Sequence, residues 1–332
     1  MKNNWNMLGH EWAVELLQGH LTNERARHAY LITGPQGVGR RTLAIRLSQT
    51  LNCTEPFAPG VPCGGCRSCT LIERMQHPDL SVVEAEQIGG ILKVDQIREL
   101  QRSLSLAPYE SDHKIALLLR FEEANPNAAN ALLKTLEEPP PKVVMLITAS
   151  DVDALLPTIV SRCEVIRLRP LRIEQVADGL QKKWGLPSDE AVLLAHLSGG
   201  RPGYAYSLSQ HPEMLEQRQK QLDDLQQLLS SSRVARFAYA EDLVKDKLVL
   251  QSTLKTWLSL WRDVMLSTAG SSTPVTNIDR QDQIHQISHG IQLKTAHKMV
   301  IGLEKTQSRL ARYTNPRLTL EVLMLDLPQI QF

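Results

Sequence analysis

Apolar positions in the first half of the chain fall into short continuous runs, and stretches of helical spacing separate them. The runs Ala29–Ile32, Leu80–Glu84, Ile115–Leu119, Val143–Thr148 and Val165–Leu168 predict strands. Between them, Leu43, Leu47 and Leu51 line a helix, and Val94, Ile97, Leu100 and Leu104 line another. A third runs from Asn127 until Pro139-Pro140-Pro141 stops it. An earlier helix over 11–23 carries Trp12, Leu16, Leu17 and Leu21 as its apolar face, with Asn23 available to end it. Strands that alternate with helices predict a parallel sheet covered on both faces. After Arg169-Pro170-Leu171 the pattern becomes helical. Residues 173–184 and 188–197 form short amphipathic helices, the second capped by Ser188 and closed by Gly199-Gly200. From Pro212 to the end, Leu225, Leu228, Leu229, Leu250, Leu254, Trp257, Leu258 and Trp261 read as the inner faces of a bundle. The expected division is an α/β domain over 1–169, a helical lid over 170–211 and an all-α domain over 212–332.

Composition changes this picture little. Of 332 residues 42% are hydrophobic and 22% charged, with a net charge of +1, so any DNA contact has to be local and not a broadly basic coat. No apolar run approaches the length of a membrane span, and Met1-Lys2-Asn3-Asn4-Trp5 lacks a signal-peptide core, which predicts a cytoplasmic protein. Four of the five cysteines crowd into 53–69. In a reducing compartment this points to metal or redox chemistry before disulfides.

Two stretches carry chemistry. Between the first strand and its helix lies Gly34-Pro35-Gln36-Gly37-Val38-Gly39-Arg40-Arg41-Thr42, with Gly34 and Gly39 at the G-x-x-x-x-G spacing of a phosphate loop and Gly37 between them. Such a loop continues with lysine and then serine or threonine. Arg40 takes the place of the lysine and Arg41 that of the magnesium-binding hydroxyl, so a nucleotide can be held while its hydrolysis is compromised. The alternative is a glycine turn that binds nothing. The strand Ile115–Leu119, where an ATPase carries its second metal-holding acid, is followed by Arg120. Glu122 beyond it reads as a solvated carboxylate at a helix start, unless it reaches inward. The other stretch is Cys53, Cys63, Cys66 and Cys69, spaced C-x9-C-x2-C-x2-C. Four thiolates so close can fold around one tetrahedral ion, and zinc is expected. An iron–sulfur cluster is the rival, but the downstream Cys-Pro of ferredoxins is missing. The metal is a structural staple, since the excursion holds no evident base or nucleophile.

The string Asn130-Ala-Leu-Leu-Lys-Thr-Leu-Glu-Glu-Pro-Pro140, followed by Ser161-Arg162-Cys163, resembles the clamp-loader branch of the AAA+ proteins, in which the four-cysteine insertion also occurs. The likeness extends over essentially the whole chain, Asn315-Pro-Arg317-Leu-Thr-Leu-Glu321 matching the last helix of the family's collar. It implies a AAA+ core, a lid, and a collar domain that joins a hetero-pentamer. The partners implied are the gamma/tau motor subunits and delta, with the sliding clamp and primer-template DNA held by the assembly. Arg40, Arg41 and Arg120 depart from the ATP-hydrolysing gamma/tau type, which favours a non-hydrolysing stator of DNA polymerase III over an active ATPase. By the same resemblance Arg162 is an arginine finger, acting across a subunit boundary on a neighbour's ATP. Arg201, in Gly200-Arg201-Pro202-Gly203, occupies the place of a second phosphate-sensing arginine or only braces the lid. Cys163 is read as a small buried residue outside the metal set.

Overall fold

The five apolar runs pair into one parallel sheet in the order β2-β3-β4-β1-β5. The structure is a computed structural model that describes residues 4–23, 26–311 and 315–330. Along the chain the first elements are α1 (Glu11–Thr22), β1 (Ala29–Thr33), α2 (Arg40–Asn52), α3 (Arg67–Glu73), β2 (Leu80–Val83) and α4 (Val94–Leu104). They continue as β3 (Lys114–Leu118), α5 (Pro126–Glu137), β4 (Val143–Ala149), α6 (Pro157–Val160), β5 (Glu164–Arg167) and α7 (Ile173–Trp184). Strand β1 is buried along its length, as are β3 and β4, because helices cover both faces of the sheet. On one face Leu17, Leu43 and Leu47 pack with Tyr30, Ile32 and Leu146. On the other, Ile97, Leu100 and Leu132 pack with Leu31, Leu118 and Met145. With β4 between β1 and β3, this is the α/β parallel sheet expected from the sequence.

Three local expectations need correction. In α1 the buried side chains are Ala13, Val14 and Leu17, whereas Trp12 and Leu16 are 50% and 37% exposed. The buried stripe is rotated by one position, because Ala13 and Val14 join Leu17 in the core with Tyr30, Leu43 and Leu47. Glu122 is turned inward, from a 3-10 turn over Phe121–Glu123. Ser188 is the first helical residue of α8 (Ser188–Leu197) and makes no cap, since Pro187 holds the N-cap position.

The remaining helices are α9 (Pro202–Gln210), α10 (Pro212–Ser230), α11 (Arg233–Leu243), α12 (Lys247–Thr268), α13 (Gln281–Gly290), α14 (Leu293–Ala311) and α15 (Pro316–Asp326). The chain forms two compact units, Met1–Trp184 with Gly200–Tyr204, and Gly185–Gly199 with Ala205–Phe332. The residues expected as a lid are thus shared out: α7 and the first turn of α9 lie in the first unit, α8 in the second. Leu225, Leu229, Leu254, Trp257 and Trp261 form the core of the helical unit, as their spacing predicted. Among the described residues no helix is long and apolar enough to cross a membrane.

Arg236 holds this helical unit together from the inside. Only 5% exposed, it donates to the carbonyls of Leu228 and Leu229 at the end of α10, and to those of Met324, Leu327 and Pro328 at the end of α15. Two helix C-termini, each with unsatisfied carbonyls and a partial negative charge, therefore converge on one guanidinium. Arg236→Met is expected to destabilise this unit by about 3 kcal/mol or more, because the buried acceptors lose their donors. Arg236→Lys recovers only part of that, having fewer donors in a different geometry. Urea titration followed by tryptophan emission reads it through the buried Trp257 and Trp261.

Candidate functional site

The C-terminal ends of β1, β3 and β4 converge on the loop over 34–39. Parallel sheets place their sites at these ends. Gly34 and Gly37 have φ of 144° and 82°, and a Cβ on Gly34 would stand 2.4 Å from the Leu168 carbonyl oxygen. Only glycine lets β5 pass so close. The Arg40 side chain, 10% exposed at the first turn of α2, points to Glu122, with Nη1 and Oε1 3.8 Å apart. Glu122 Oε1 also accepts from the Ser150 amide at 3.1 Å, so it bridges the ends of β3 and β4. Burial pulls the pKa of Arg40 down while Glu122 pulls it up and Arg120 lowers it further. The guanidinium remains charged at neutral pH. Arg41 and Thr42 are exposed, and Arg41 reaches the Met75 sulfur at 3.3 Å.

Arg120, at the position of the expected acid, adopts a left-handed backbone with φ 51°. Its amide donates to Thr148 Oγ1 on β4, and its guanidinium pairs with Glu84 at 2.8 Å and Glu123 at 3.1 Å. Burial opposes the charge on Arg120, but Glu123 and Glu84 outweigh it. The chain itself also lies against the loop. His10, at the N-cap of α1, contacts the Val38 carbonyl through Nε2 at 2.9 Å, and the Gly203 amide donates to the Gly37 carbonyl at 2.8 Å. A Cβ on Gly37 would stand 2.7 Å from Tyr204, and the Arg201 guanidinium lies over the Tyr204 ring, 4.4 Å from its centre.

The four cysteines come together as one group. All four Sγ atoms lie within 4.8 Å of one another, with Cys53–Cys63 at 3.5 Å and Cys53–Cys66 at 4.0 Å. A tetrahedral ion with metal–sulfur bonds of about 2.3 Å sets its sulfurs about 3.8 Å apart. The donor set therefore fits a single metal ion such as zinc. Backbone amides of Cys63, Cys66 and Cys69 donate to the sulfurs of Cys53, Cys63 and Cys66 at 3.2–3.4 Å, which favours thiolates. Burial opposes ionisation of Cys66, but hydrogen bonds with Thr54 and Cys69 hold its thiol down at about 6. Cys66 also caps α3, and Gln49 on α2 donates to the Cys69 carbonyl at 2.8 Å. Cys163 lies outside this group and burial pushes its thiol up to about 12.

Arg162 follows the single turn of α6. Its Nη1 donates to the Thr158 carbonyl at 2.9 Å and its Nη2 pairs with Glu137, the last residue of α5, at 2.6 Å. The side chain is 34% exposed.

A sequence model of the family described as "DNA polymerase III, delta subunit" matches residues 9–172. The chain is 29% identical over 320 residues to DNA polymerase III subunit delta' of Bacillus subtilis, covering 95% of each chain. It is 38% identical over 214 residues to subunit delta' of Pseudomonas aeruginosa, covering 63% of each. The chain belongs to the DNA polymerase III delta-prime family. Over 176 residues it is also 35% identical to DNA polymerase III subunit tau of Escherichia coli, 53% of this chain and 27% of that one.

The four cysteines come together as their spacing predicts, and the loop lies between β1 and α2. The partners of the loop were less visible. Glu122 reads as a solvated carboxylate unless it reaches inward, and His10 and Tyr204 carry no signal, because each depends on segments distant in sequence meeting the loop.

Proposed function

We propose that this chain is a non-hydrolysing stator of the DNA polymerase III clamp loader, and that it supplies Arg162 to the ATP site of a neighbouring motor subunit. The observation that carries the first half is the pairing of Arg40 with Glu122. Where a lysine would meet phosphate, the loop's cation faces an internal carboxylate 3.8 Å away. The site also lacks the hydroxyl at 41 that would ligate magnesium, and the second acid is replaced by Arg120, itself locked between two glutamates. The donor set does not fit a magnesium nucleotide. Hydrolysis would require lysine, hydroxyl and acid to be rebuilt together.

The second half rests on Arg162, whose guanidinium stays partly exposed beside Glu137. A guanidinium placed against a γ-phosphate stabilises charge in the transition state of phosphoryl transfer. In this reading zinc in the four cysteines is structural, the helices from Pro212 onward serve as the collar that joins gamma/tau and delta, and residues 170–211 act as the lid. The clamp and primer-template DNA are met through the assembly.

Two rivals make different predictions. An active gamma/tau-type ATPase would turn over ATP as the purified chain, and would lose that activity when Arg40 is replaced. A zinc-bearing scaffold without a catalytic role would support full loader ATPase after Arg162→Ala. The stator reading predicts no turnover by the chain alone, measured by phosphate release with magnesium and ATP in excess. Any turnover that disappears in Arg40→Ala would refute it.

A further inference from the structure

We propose that a cleft at the free edge of the sheet binds single-stranded DNA, with Arg167, Arg169 and Arg172 on the phosphates and Trp12 stacked on a base. Strand β5 pairs only with β1, so its other edge is open. Ile166 and Leu168 point into the core. Arg167 at the end of β5 and Arg169 just beyond it are exposed while Leu168 between them is buried, so the two arginines share the outward side. They line an open cleft of about 780 Å³, whose opposite walls include Glu11 and Trp12 from the start of α1 and Arg172 and Gln175 from the start of α7.

The charge balance of this cleft is one-sided. Three guanidiniums face the single carboxylate of Glu11 among the lining residues, and the nearby Glu164 is engaged by Arg27 at 3.7 Å. Among the described residues none of Arg167, Arg169 and Arg172 has an ion-pair partner. In a chain of net charge +1 this is a local concentration of positive charge. Arg167 ends β5, and two residues of extended chain would set Arg169 about 7 Å further on, a separation like that of successive phosphates in a nucleic-acid strand, which favours a polymer over an isolated anion. Trp12 adds the second requirement. Its indole is half exposed, and the helix is anchored in the core through Ala13, Val14 and Leu17 instead, so the core does not need it. A positive groove beside an exposed aromatic face is how single strands are held, since an unpaired base can stack on the ring and a paired one cannot.

The test uses the full chain and a fluorescein-labelled twenty-nucleotide oligothymidylate, followed by anisotropy between about 50 and 200 mM salt. Arg167→Ala with Arg169→Ala is expected to weaken binding about tenfold at the lower salt and to reduce the slope of log affinity against log salt by about one to two. Trp12→Ala is expected to weaken it about fivefold or more with the salt slope unchanged. All three side chains are exposed, and circular dichroism checks that the variants fold. Binding of a duplex of equal length as tightly as the single strand would overturn the proposal. So would displacement by inorganic tripolyphosphate at the same concentration as unlabelled oligothymidylate, which would make this a simple anion site. An unchanged affinity in the double variant would also overturn it and leave the arginines as charges that keep an edge strand from pairing with another chain.

Discussion

Arg162→Ala is expected to leave assembly with the motor and delta subunits intact while slowing hydrolysis at the adjoining motor site by about three orders of magnitude or more. The two halves of this expectation have separate physical causes. What the substitution removes from the chain itself is a partly exposed ion pair with Glu137 and a hydrogen bond to the Thr158 carbonyl, together worth about 1 kcal/mol. The fold and the helical unit lose almost nothing. What it removes from the neighbour's site is a charge that matters only as the transition state forms, and such a loss appears in the rate of chemistry and not in nucleotide affinity. Single-turnover hydrolysis in the reconstituted loader separates the two, because the other motor sites keep the steady-state rate from falling as far. Arg162→Lys is expected to recover a small part, since an ammonium keeps the charge without the planar fork. Glu137→Gln frees the guanidinium from its carboxylate and is expected to leave the rate equal or higher. Wild-type single-turnover rates in Arg162→Ala would remove the trans-acting role and favour the scaffold reading.

The parts of this molecule that were legible in the sequence are those in which neighbours along the chain decide the outcome. Continuous apolar runs such as Ile115–Leu119 and Val143–Thr148 can be satisfied only by burial on both faces, so the parallel sheet followed from them. The phosphate loop was legible because glycines at 34, 37 and 39 sit between a strand and a helix, and the metal cluster because three of its four ligands lie within seven residues. The failures were positional. In α1, Trp12 and Leu16 differ from Ala13 and Leu17 by one residue, about 100° of helix rotation, and a twelve-residue helix offers too few repeats to fix the face. Glu122 reads as a surface acid because the cation it faces is Arg40, more than eighty positions earlier. Arg236 carries no signal in the sequence that sets it apart from other charges on a helix. Only the meeting of the ends of α10 and α15 makes a cage of carbonyls around it. For Glu122 and Arg236 the missing information is which distant chain segments share a site.

Removing the metal is expected to unfold the excursion over 53–69 while the sheet persists. Apart from α3, which Cys66 caps, the segment has no helix or strand and little apolar core of its own; Phe57 is 75% exposed. Its fold is therefore paid for mainly by coordination, and binding of a structural zinc to a small Cys/His framework supplies about 10–16 kcal/mol at neutral pH. The loss should spread to the segment's attachments, among them the Gln49 contact to the Cys69 carbonyl, the Arg67 pairing with Glu110 at 3.2 Å and the Trp5 indole bond to the Gly60 carbonyl at 2.8 Å, and to the Arg46 pairing with Glu73 at 2.6 Å just beyond it. Trp5 is 3% exposed, so chelation should shift part of the tryptophan emission to the red and open a protease site between Cys53 and Cys69. The dependence on pH has one sign. Thiolates are the ligands and protons compete for them, so affinity falls as pH falls, and the metal is released at the acid end. Cys66→Ser should mimic chelation at every pH, because it removes a metal ligand while leaving an oxygen that can still cap α3. Elemental analysis is expected to find one zinc per chain and no iron. Stoichiometric iron with visible absorption would instead identify a cluster, and a metal-free chain whose protease pattern ignores chelation would leave the four thiols without a metal role.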